Sequence, residues 1–141
     1  MPSVETSAEV EVLAANQAFY TAFARGDLTV IDALWAQRAP VACIHPGWGA
    51  LHGREEVMES WRSILEGGPG PTVRCTRPSA AVLGDSAYVV CGETIQGAEL
   101  VATNYFIRED GAWKLVLHQA GPVHRRAEPR RRAPPRTGLL N

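Results

Sequence analysis

Residues 72–121 read TVRCTRPSAAVLGDSAYVVCGETIQGAELVATNYFIREDGAWKLVLHQAG, and this stretch decides the fold class. It contains four segments of strand length, which are separated by short turns at Gly84-Asp85, Gly97 and Asp110-Gly111. Apolar residues recur at alternate positions in these segments, which places them on one face of a strand. Glycine and aspartate supply the tight turns of hairpins. The stretch therefore predicts four consecutive antiparallel strands that form a meander.

The first half of the chain follows a different period, in which apolar residues recur every three or four positions. From Ser7 to Arg25 this spacing predicts an amphipathic helix, and Gly26 is typical of the residue that ends one. The apolar face of that helix is predicted to comprise Val10, Leu13, Ala14, Phe19, Ala22 and Phe23. Asp27 is typical of the N-cap of a second, shorter helix that Pro40 closes.

A third helix is predicted over residues 53–65, and two irregular or extended segments precede it. Residues 41–45 (VACIH) predict a short strand, and residues 45–53 (HPGWGALHG) predict an irregular loop. Three helices followed by a meander are an α+β layout, in which the helices cover one face of a curved antiparallel sheet. Such an arrangement encloses a cone whose open end can form a pocket.

The composition is typical of one globular domain. The chain has 141 residues, of which 45% are hydrophobic and 21% charged. No apolar run reaches the roughly 18 to 20 residues of a membrane span, and the acidic start does not resemble a secretory signal. We therefore expect a cytoplasmic protein without a membrane partner. The cysteines Cys43, Cys75 and Cys91 are odd in number and lack CxxC spacing, so neither a disulfide framework nor a zinc site is expected.

The net charge of −1 is unevenly distributed along the chain. The six arginines and one glutamate of residues 125–141 give that segment +5, which leaves −6 on residues 1–124. Because residues 125–141 are rich in arginine and proline and poor in apolar residues, we predict a disordered basic tail. We predict a domain over residues 7–124 and a disordered start over residues 1–6. Nucleic-acid binding is expected, if at all, only through the tail.

Four phrases carry a resemblance to a known family: FYTAFARGDLTVIDALWA (19–36), CIHPGW (43–48), GREEVMESW (53–61) and AWKLVLHQAGP (112–122). Over residues 7–123 the chain resembles the SnoaL-like branch of the NTF2-like superfamily. That superfamily also includes ketosteroid isomerases, scytalone dehydratase, polyketide cyclases and kinase association domains. The resemblance implies a cone-shaped, cystatin-like α+β barrel that dimerises through its sheet. It specifies the fold far more strongly than the function.

The ketosteroid isomerase pattern is incomplete in this chain. The segment at His45 resembles the place where those isomerases hold their general-base aspartate, so a histidine occupies the base position. Phe19 stands where they hold an oxyanion-donating tyrosine, and Tyr20 is expected to point elsewhere. Their second donor falls near Thr103 or Asn104, neither of which is an acid. Because dienolate stabilisation needs those donors, steroid isomerisation is not predicted.

Three residues are candidate acid–base catalysts. His45 precedes a Pro-Gly turn that is expected to expose it at a strand end, and imidazole titrates near neutral pH. Glu93 is a carboxylate on an otherwise apolar strand face, so it must be paired, hydrogen-bonded or protonated; Arg54, Arg74 and His118 are the candidate partners. His118 lies beside Gln119 on the last strand, and only one of the two can face the cone. A purely structural role remains an alternative for each.

Candidate ligand-binding residues share a predicted place at the cone or its mouth: Trp48, Asn104, Arg54, Phe19 and Gln119. Trp48 lies between two loop glycines and is a candidate lid, with simple loop packing as the alternative. The amide of Asn104 can orient a ligand carbonyl without the cost of a buried charge. Arg54 can bind a ligand carboxylate or remain a solvated residue at the start of a helix. Trp35 and Trp61 fall on helix faces at core spacing.

Nucleotide-binding, nucleophile and metal motifs are absent from the sequence. There is no Walker loop, GxGxxG or GxSxG, and the histidines lack HxH, HxxxH and HExxH spacing, so we expect neither cofactor nor metal. Two functional hypotheses follow. In the first, a homodimer binds a small, mostly apolar molecule in its cone, with His45 as acid or base if the protein is an isomerase, dehydratase or cyclase. In the second, the domain is a non-catalytic association module.

Overall fold

The computed structural model describes residues 6–68 and 72–124. Within them, three helices lie against one face of a six-stranded sheet, in the order that the sequence predicts. This arrangement confirms the α+β class. The predicted basic tail, residues 125–141, lies outside the described residues, as do residues 1–5 of the predicted disordered start.

The first helix, α1, spans Ser7–Arg25 as predicted. Thr6 caps it through a capping box with Glu9, since each side chain accepts a hydrogen bond from the other residue's backbone N–H. Gly26 ends the helix at a φ of 70°, a left-handed conformation that glycine adopts without a Cβ clash.

The buried face of α1 is rotated from the predicted one. Val10, which we predicted to be apolar core, is 51% exposed. The helix buries Phe19 and Ala22, as predicted, and also Val12, Asn16 and Tyr20, which were not predicted. Both faces satisfy a three-to-four spacing, because this helix is rich in alanine and carries apolar residues on several sides. The rotation turns two polar side chains towards the sheet.

The two other helices are α2 (Leu28–Leu34) and α3 (Arg54–Leu65). The Asp27 carboxylate caps α2 by accepting a hydrogen bond from the Val30 backbone N–H, as its position predicts. The helix ends at Leu34, several residues before the proline predicted to close it.

The sheet has the strand order β2-β1-β6-β5-β4-β3. Its strands are β1 (Ala42–Ile44), β2 (Leu51–His52), β3 (Val73–Leu83), β4 (Ser86–Ile95), β5 (Ala98–Glu109) and β6 (Ala112–Pro122). The meander predicted from the alternating pattern corresponds to β3 to β6. The short strand β2 falls in the segment that we predicted to be an irregular loop.

The sheet is mixed, so the prediction of a purely antiparallel sheet is wrong in one pairing. β1 runs parallel to β6, with Cys43 in register with His118. A parallel pair requires a long connection between its strands, and here β2, α3 and the first three strands of the meander lie between them. The pairing brings the His45 segment next to the last strand.

A bulge in β6 changes which residues of that strand face the helices. Tyr105 of β5 pairs with Leu117, whereas the next residue, Phe106, pairs with Leu115, so Val116 is extra. As a result Leu115 and His118 are both buried. Strict alternation along β6 would place Lys114, Val116 and His118 on one face, and the bulge interrupts that alternation.

The core lies between the helices and the sheet face that they cover, which we call the inner face. Trp35 and Trp61 are both fully buried there, as their helical spacing predicts. The opposite sheet face, the outer face, carries exposed apolar side chains such as Val90 and Val101. The inner face also carries the buried polar side chains of the candidate site.

Candidate functional site

Five buried polar side chains meet on the inner face, and we call them the inner cluster: Asn16, Tyr20, Glu93, Asn104 and His118. None is more than 2% exposed. Two come from α1, where a spacing of four residues places them one turn apart on the same side. The other three come from the adjacent strands β4, β5 and β6. In the pairing of β5 with β6, Asn104 lies directly opposite His118.

Asn104 connects the other members of the cluster. Its Nδ2 donates to Oδ1 of Asn16 at 2.8 Å and to Oη of Tyr20 at 3.1 Å. Its Oδ1 lies 2.6 Å from Nδ1 of His118. Because an amide oxygen only accepts, His118 must donate from Nδ1, and its Nε2 is left with a lone pair.

Glu93 takes its hydrogen bond from a tyrosine. The Tyr20 hydroxyl donates to Oε2 of Glu93 at 2.6 Å, so the predicted pairing of Glu93 with Arg54 or Arg74 is wrong, as is the expectation that Tyr20 points elsewhere. Burial raises the pKa of the Glu93 carboxyl, although the bond from Tyr20 partly offsets the shift. Burial and the nearby Glu93 also raise the pKa of Tyr20, so its hydroxyl remains a donor.

His118 lies next to Glu93, with its Nε2 3.9 Å from the carboxyl Oε2. Burial, with a smaller contribution from His45, lowers the pKa of His118 to about 3. The imidazole is therefore neutral at neutral pH and presents a lone pair towards a carboxyl whose pKa is raised. The neighbouring residue, Gln119, is exposed on the outer face, so its predicted place in the cone is wrong.

His45 is buried, whereas we predicted exposure at a strand end. Ser60 of α3 donates its hydroxyl proton to the Val57 carbonyl at 2.7 Å, so its Oγ accepts from Nε2 of His45 at 2.8 Å. This assignment leaves Nδ1 of His45 unprotonated. Burial lowers the pKa of His45 to about 4, which keeps the ring neutral.

Aromatic rings surround the two histidines, whose own ring centroids are 6.4 Å apart. The His45 ring lies edge to face with Trp48, at 4.7 Å between centroids, and with Trp61, at 4.8 Å. Phe19 packs 5.0 Å from His118 and 5.5 Å from Trp61. Trp48 is 44% exposed, so it covers His45 from the solvent side. Phe19 is wholly buried among core rings.

Arg54 does not reach the inner cluster. Its guanidinium donates to the Asp32 carboxylate at 2.7 Å and to the backbone carbonyl of Ala36 at 3.0 Å. These acceptors lie in and just after α2, whereas Arg54 begins α3. The predicted contact with a ligand carboxylate is therefore replaced by a connection between two helices.

Two depressions of the surface adjoin elements of the site. A cleft of about 280 Å³ between α1 and β3 is lined in part by Tyr20, Cys75 and Arg74, and it brings solvent close to the inner cluster. A cavity of about 580 Å³ lies along the outer face, where Val90, Val101 and Val123 contribute to its walls.

Sequence reasoning missed Asn16, Tyr20 and Ser60. A usable signal was present for α1, since Val12, Asn16 and Phe19 follow a three-to-four spacing in which a polar residue interrupts an apolar stripe. Ser60 gave no such signal, because a serine on a helix is ordinary. Its contact with His45 depends on how α3 crosses the end of β1.

Neither a metal-binding group nor a membrane-spanning helix occurs among the described residues. Among residues 6–68 and 72–124, no group of three or more His, Cys, Asp or Glu side chains is placed to hold a metal ion. In the same part of the chain, no helix has the length and apolar character needed to cross a membrane.

The fold and the site agree with a known family. The model of the SnoaL-like domain matches residues 12–123, and the chain therefore belongs to the SnoaL-like domain family. Solved structures with NTF2-like and cystatin-like folds superpose on the chain, which confirms the expected architecture.

The similar proteins belong to different functional classes. A candidate dehydratase of the NTF2-like family from Streptomyces avermitilis is 36% identical, with a TM-score of 0.76 over 82% of this chain and 96% of that one. A candidate calcium/calmodulin-dependent protein kinase type II association domain from Thiobacillus denitrificans is 30% identical, with a TM-score of 0.71 over 88% and 100%. The F-box protein SKIP8 of Arabidopsis thaliana is 25% identical over 111 residues, or 77% of this chain. The chain spans about half of that curated relative, 48% of its length.

Proposed function

We propose that this domain binds a small, mostly apolar molecule with one polar end, and that the inner cluster recognises the polar end. The observation that carries the proposal is Glu93, a carboxyl buried among apolar side chains with no Lys or Arg within ion-pair distance among the described residues. Its partners are the Tyr20 hydroxyl and, at a longer distance, His118.

The energetic cost of the inner cluster argues for a role beyond packing. Moving a polar group out of water is costly, and even a fully hydrogen-bonded network stabilises a core less than well-packed apolar residues of similar size. Displaced pKa values in such a cluster are typical of functional sites. The buried indole N–H of Trp61, which has no hydrogen-bond partner among the described residues, supports the same conclusion, because an acceptor on a ligand would satisfy it.

The chemistry that this arrangement favours is acid–base catalysis on a carbonyl compound. A carboxyl with a raised pKa can act as a general acid or base on a bound substrate. In this proposal Glu93 exchanges a proton with the substrate, His118 stays neutral beside it, and the Tyr20 hydroxyl turns from Glu93 to donate to a developing oxyanion. The unprotonated Nδ1 of His45, whose ring packs against Trp48, offers a second base. The candidate dehydratase among the relatives supports this class of reaction.

Access is proposed through the cleft between α1 and β3, because Tyr20 belongs to both the cleft and the inner cluster. A ligand that enters there reaches the Tyr20 hydroxyl first. The alternative route passes Trp48, whose ring would have to leave the His45 ring that it covers.

The test uses 2-naphthol, a flat two-ring apolar molecule with a single hydroxyl, as the probe. We expect it to bind the full chain, with its fluorescence reporting the dissociation constant. Asn104→Leu, which removes the central amide, should weaken binding at least tenfold. Gln119→Leu, on the outer face of the neighbouring strand, is the matched control and should leave the dissociation constant unchanged.

Two results would count against ligand binding in the cone: no saturable binding of 2-naphthol, or equal affinities for the wild type and a folded Asn104→Leu variant. The contributions of Glu93 and His45 to recognition are tested separately. If 2-naphthol binds equally well to Glu93→Gln, His45→Ala and the wild type, the cluster is a binding site in which neither residue contributes to recognition. We expect at least a tenfold loss for one of them.

A second candidate function, the association module, rests on a different observation. The outer face exposes large apolar side chains on adjoining strands, with Tyr88 and Val90 each 38% and Val101 47% exposed. Apolar surface of this kind is typical of an interaction site. The candidate kinase association domain among the relatives supports assembly, and a homodimer through the outer face is compatible with ligand binding on the inner face.

A further inference from the structure

Two cysteines that the proposed function does not use lie side by side on the inner face. Cys75 of β3 is in register with Glu93 of β4, so Cys91, two residues before Glu93, is its diagonal neighbour. Without the register shift after Thr76, Arg77 would lie opposite Cys91. The shift gives Arg77 a left-handed φ of 47° and exposes it, which leaves Cys75 as the neighbour of Cys91.

Both thiols contact the same turn of α1. Asn16 Nδ2 donates to the Cys75 Sγ at 3.5 Å, and the Tyr20 hydroxyl lies 3.5 Å from the Cys91 Sγ. Because Asn16 and Tyr20 are one helical turn apart, the two sulfurs are held close together. The closeness of the two thiols raises the pKa of Cys75 and lowers that of Cys91. A lowered pKa favours the thiolate, which is the reactive form of cysteine.

The pair is accessible from one side. Cys75 is half-buried and lines the cleft between α1 and β3, whereas Cys91 lies behind it and is 2% exposed. The third cysteine, Cys43, is buried under α3 on β1, and burial raises its pKa to about 12. A thiol with a raised pKa and no exposure reacts slowly, so Cys43 is an internal control.

We propose that Cys75 and Cys91 form a modification site, in which hydrogen peroxide entering the cleft oxidises the two thiols to a disulfide. A thiolate of the pair attacks one peroxide oxygen, the O–O bond breaks, and a sulfenic acid and a first water result after proton transfer. The second sulfur then attacks the sulfenic sulfur, an S–S bond forms, the S–O bond breaks, and a second water leaves. The sulfurs lose two electrons, which reduce the peroxide to water.

The positions of Cys75 and Cys91 permit a disulfide bond between them. Diagonal neighbours on antiparallel strands have Cα atoms about 7–8 Å apart, slightly beyond the usual separation in a disulfide. β3 is an edge strand that is hydrogen-bonded to β4 alone, and its ladder is already interrupted beside Cys75. A small movement of this strand is therefore sufficient.

The experiment treats the native full chain with hydrogen peroxide, then denatures it and alkylates the free thiols with N-ethylmaleimide. We expect the oxidised chain to take up one alkyl group instead of three and to have lost two hydrogen atoms by intact mass. Cleavage on the N-terminal side of Asp85 separates Cys75 from Cys91, so the two fragments should stay together until a reductant is added.

The variants identify the linked residues. Cys43→Ser should retain the linkage, whereas Cys75→Ser and Cys91→Ser should each lose it; Cys91→Ala replaces Cys91→Ser if the buried hydroxyl prevents folding. Uptake of three alkyl groups after a peroxide treatment that fully oxidises dithiothreitol would overturn the proposal. So would a linkage that persists in Cys75→Ser, or a sulfinic acid at Cys75 without a linkage. None of these outcomes depends on whether a ligand binds the cone.

Discussion

At the scale of single residues, the hydrogen bonds around Asn104 determine the state of the inner cluster. One amide fixes the protonated nitrogen of His118 and also donates to Tyr20 and Asn16. The loss of one member of a buried network leaves its partners unpaired, which costs more than the lost bond itself contributes. Substitutions that remove only a few atoms are therefore informative here.

Tyr20→Phe removes one hydroxyl and keeps the ring that packs edge to face against Phe19. Glu93 loses its close donor, and one hydrogen of the Asn104 amide loses an acceptor. We expect the free energy of unfolding to fall by about 1–3 kcal/mol, as measured by urea denaturation. Tyr88→Phe, on the exposed outer face, is the control and should change it by less than about 0.5 kcal/mol.

The buried imidazole of His118 makes stability depend on pH. The unfolded chain binds this proton near the ordinary pKa of 6.5, whereas the folded pKa is about 3. Between these values the unfolded state holds more protons, so stability rises with pH and is lost as the pH falls. His118→Gln should therefore reduce the slope of unfolding free energy against pH between about 4 and 6.5, by up to about 1.4 kcal/mol per pH unit.

The His118→Gln variant separates the pH dependence due to His118 from the contributions of His45 and Glu93. His45 contributes a slope of the same sign, since its folded pKa is also lowered, to about 4. Glu93 contributes the opposite sign, because its folded pKa is raised. His52→Gln, an exposed histidine on β2, serves as the control. An unchanged slope in His118→Gln would mean that the unfolded and folded states bind this proton equally.

At the scale of elements, side-chain connections and strand irregularities position the site. The bulge in β6 turns His118 inwards, and the register shift in β3 keeps Arg77 from pairing with Cys91. Arg54 ties the start of α3 to the end of α2, where backbone carbonyls have no helical partner. Since α3 carries Ser60, this connection also holds the partner of His45 in place.

Arg54→Ala tests the connection between the helices. The variant leaves the Asp32 carboxylate and the carbonyl of Ala36 without their donor, at a site where Arg54 is only 25% exposed. We expect the free energy of unfolding to fall by about 1–2 kcal/mol in urea denaturation. Arg62→Ala is the matched control, because its ion pair with Glu59 is exposed and worth about 0–0.5 kcal/mol. Equal losses for the two variants would contradict this role.

At the scale of the whole molecule, the helices cover one face of the sheet and leave the other open. The outer face exposes Leu83, Tyr88, Val90, Val101 and Val123, and a cavity of about 580 Å³ runs along part of it. We expect a second copy of the chain to cover this surface, because apolar area removed from water stabilises an interface by roughly 25 cal/mol per Å².

Val90→Glu tests assembly through the outer face. We expect the wild-type chain to scatter light as a two-chain particle at micromolar concentration, and the variant to scatter as a single chain, because a carboxylate at a buried interface is not solvated. Val10→Glu introduces the same charge on the exposed side of α1 and should leave the mass unchanged. A single-chain mass for the wild type would contradict the dimer.

Much of the fold was predictable because it depends on local patterns. The meander follows from period-two alternation broken by Gly84-Asp85 and Asp110-Gly111, and α1 follows from its spacing and from Gly26. The candidate site was predictable only in part. Glu93, Asn104 and His118 were identified as polar residues on apolar strands. Tyr20, which bonds Glu93, and Ser60, which bonds His45, belong to helices whose rotation the spacing does not determine.

The sequence by itself determined the order and kind of every element except β2, the family, and the division of charge between residues 1–124 and 125–141. Tertiary structure alone decided that Gln119 faces outwards, that Arg54 binds Asp32, and that Tyr20 meets Glu93. The physical reason is that capping and periodicity act over a few residues. Contacts between side chains 73 or 88 positions apart depend instead on helix rotation and on bulges that shift strand register, both of which are set by the packing of the complete core.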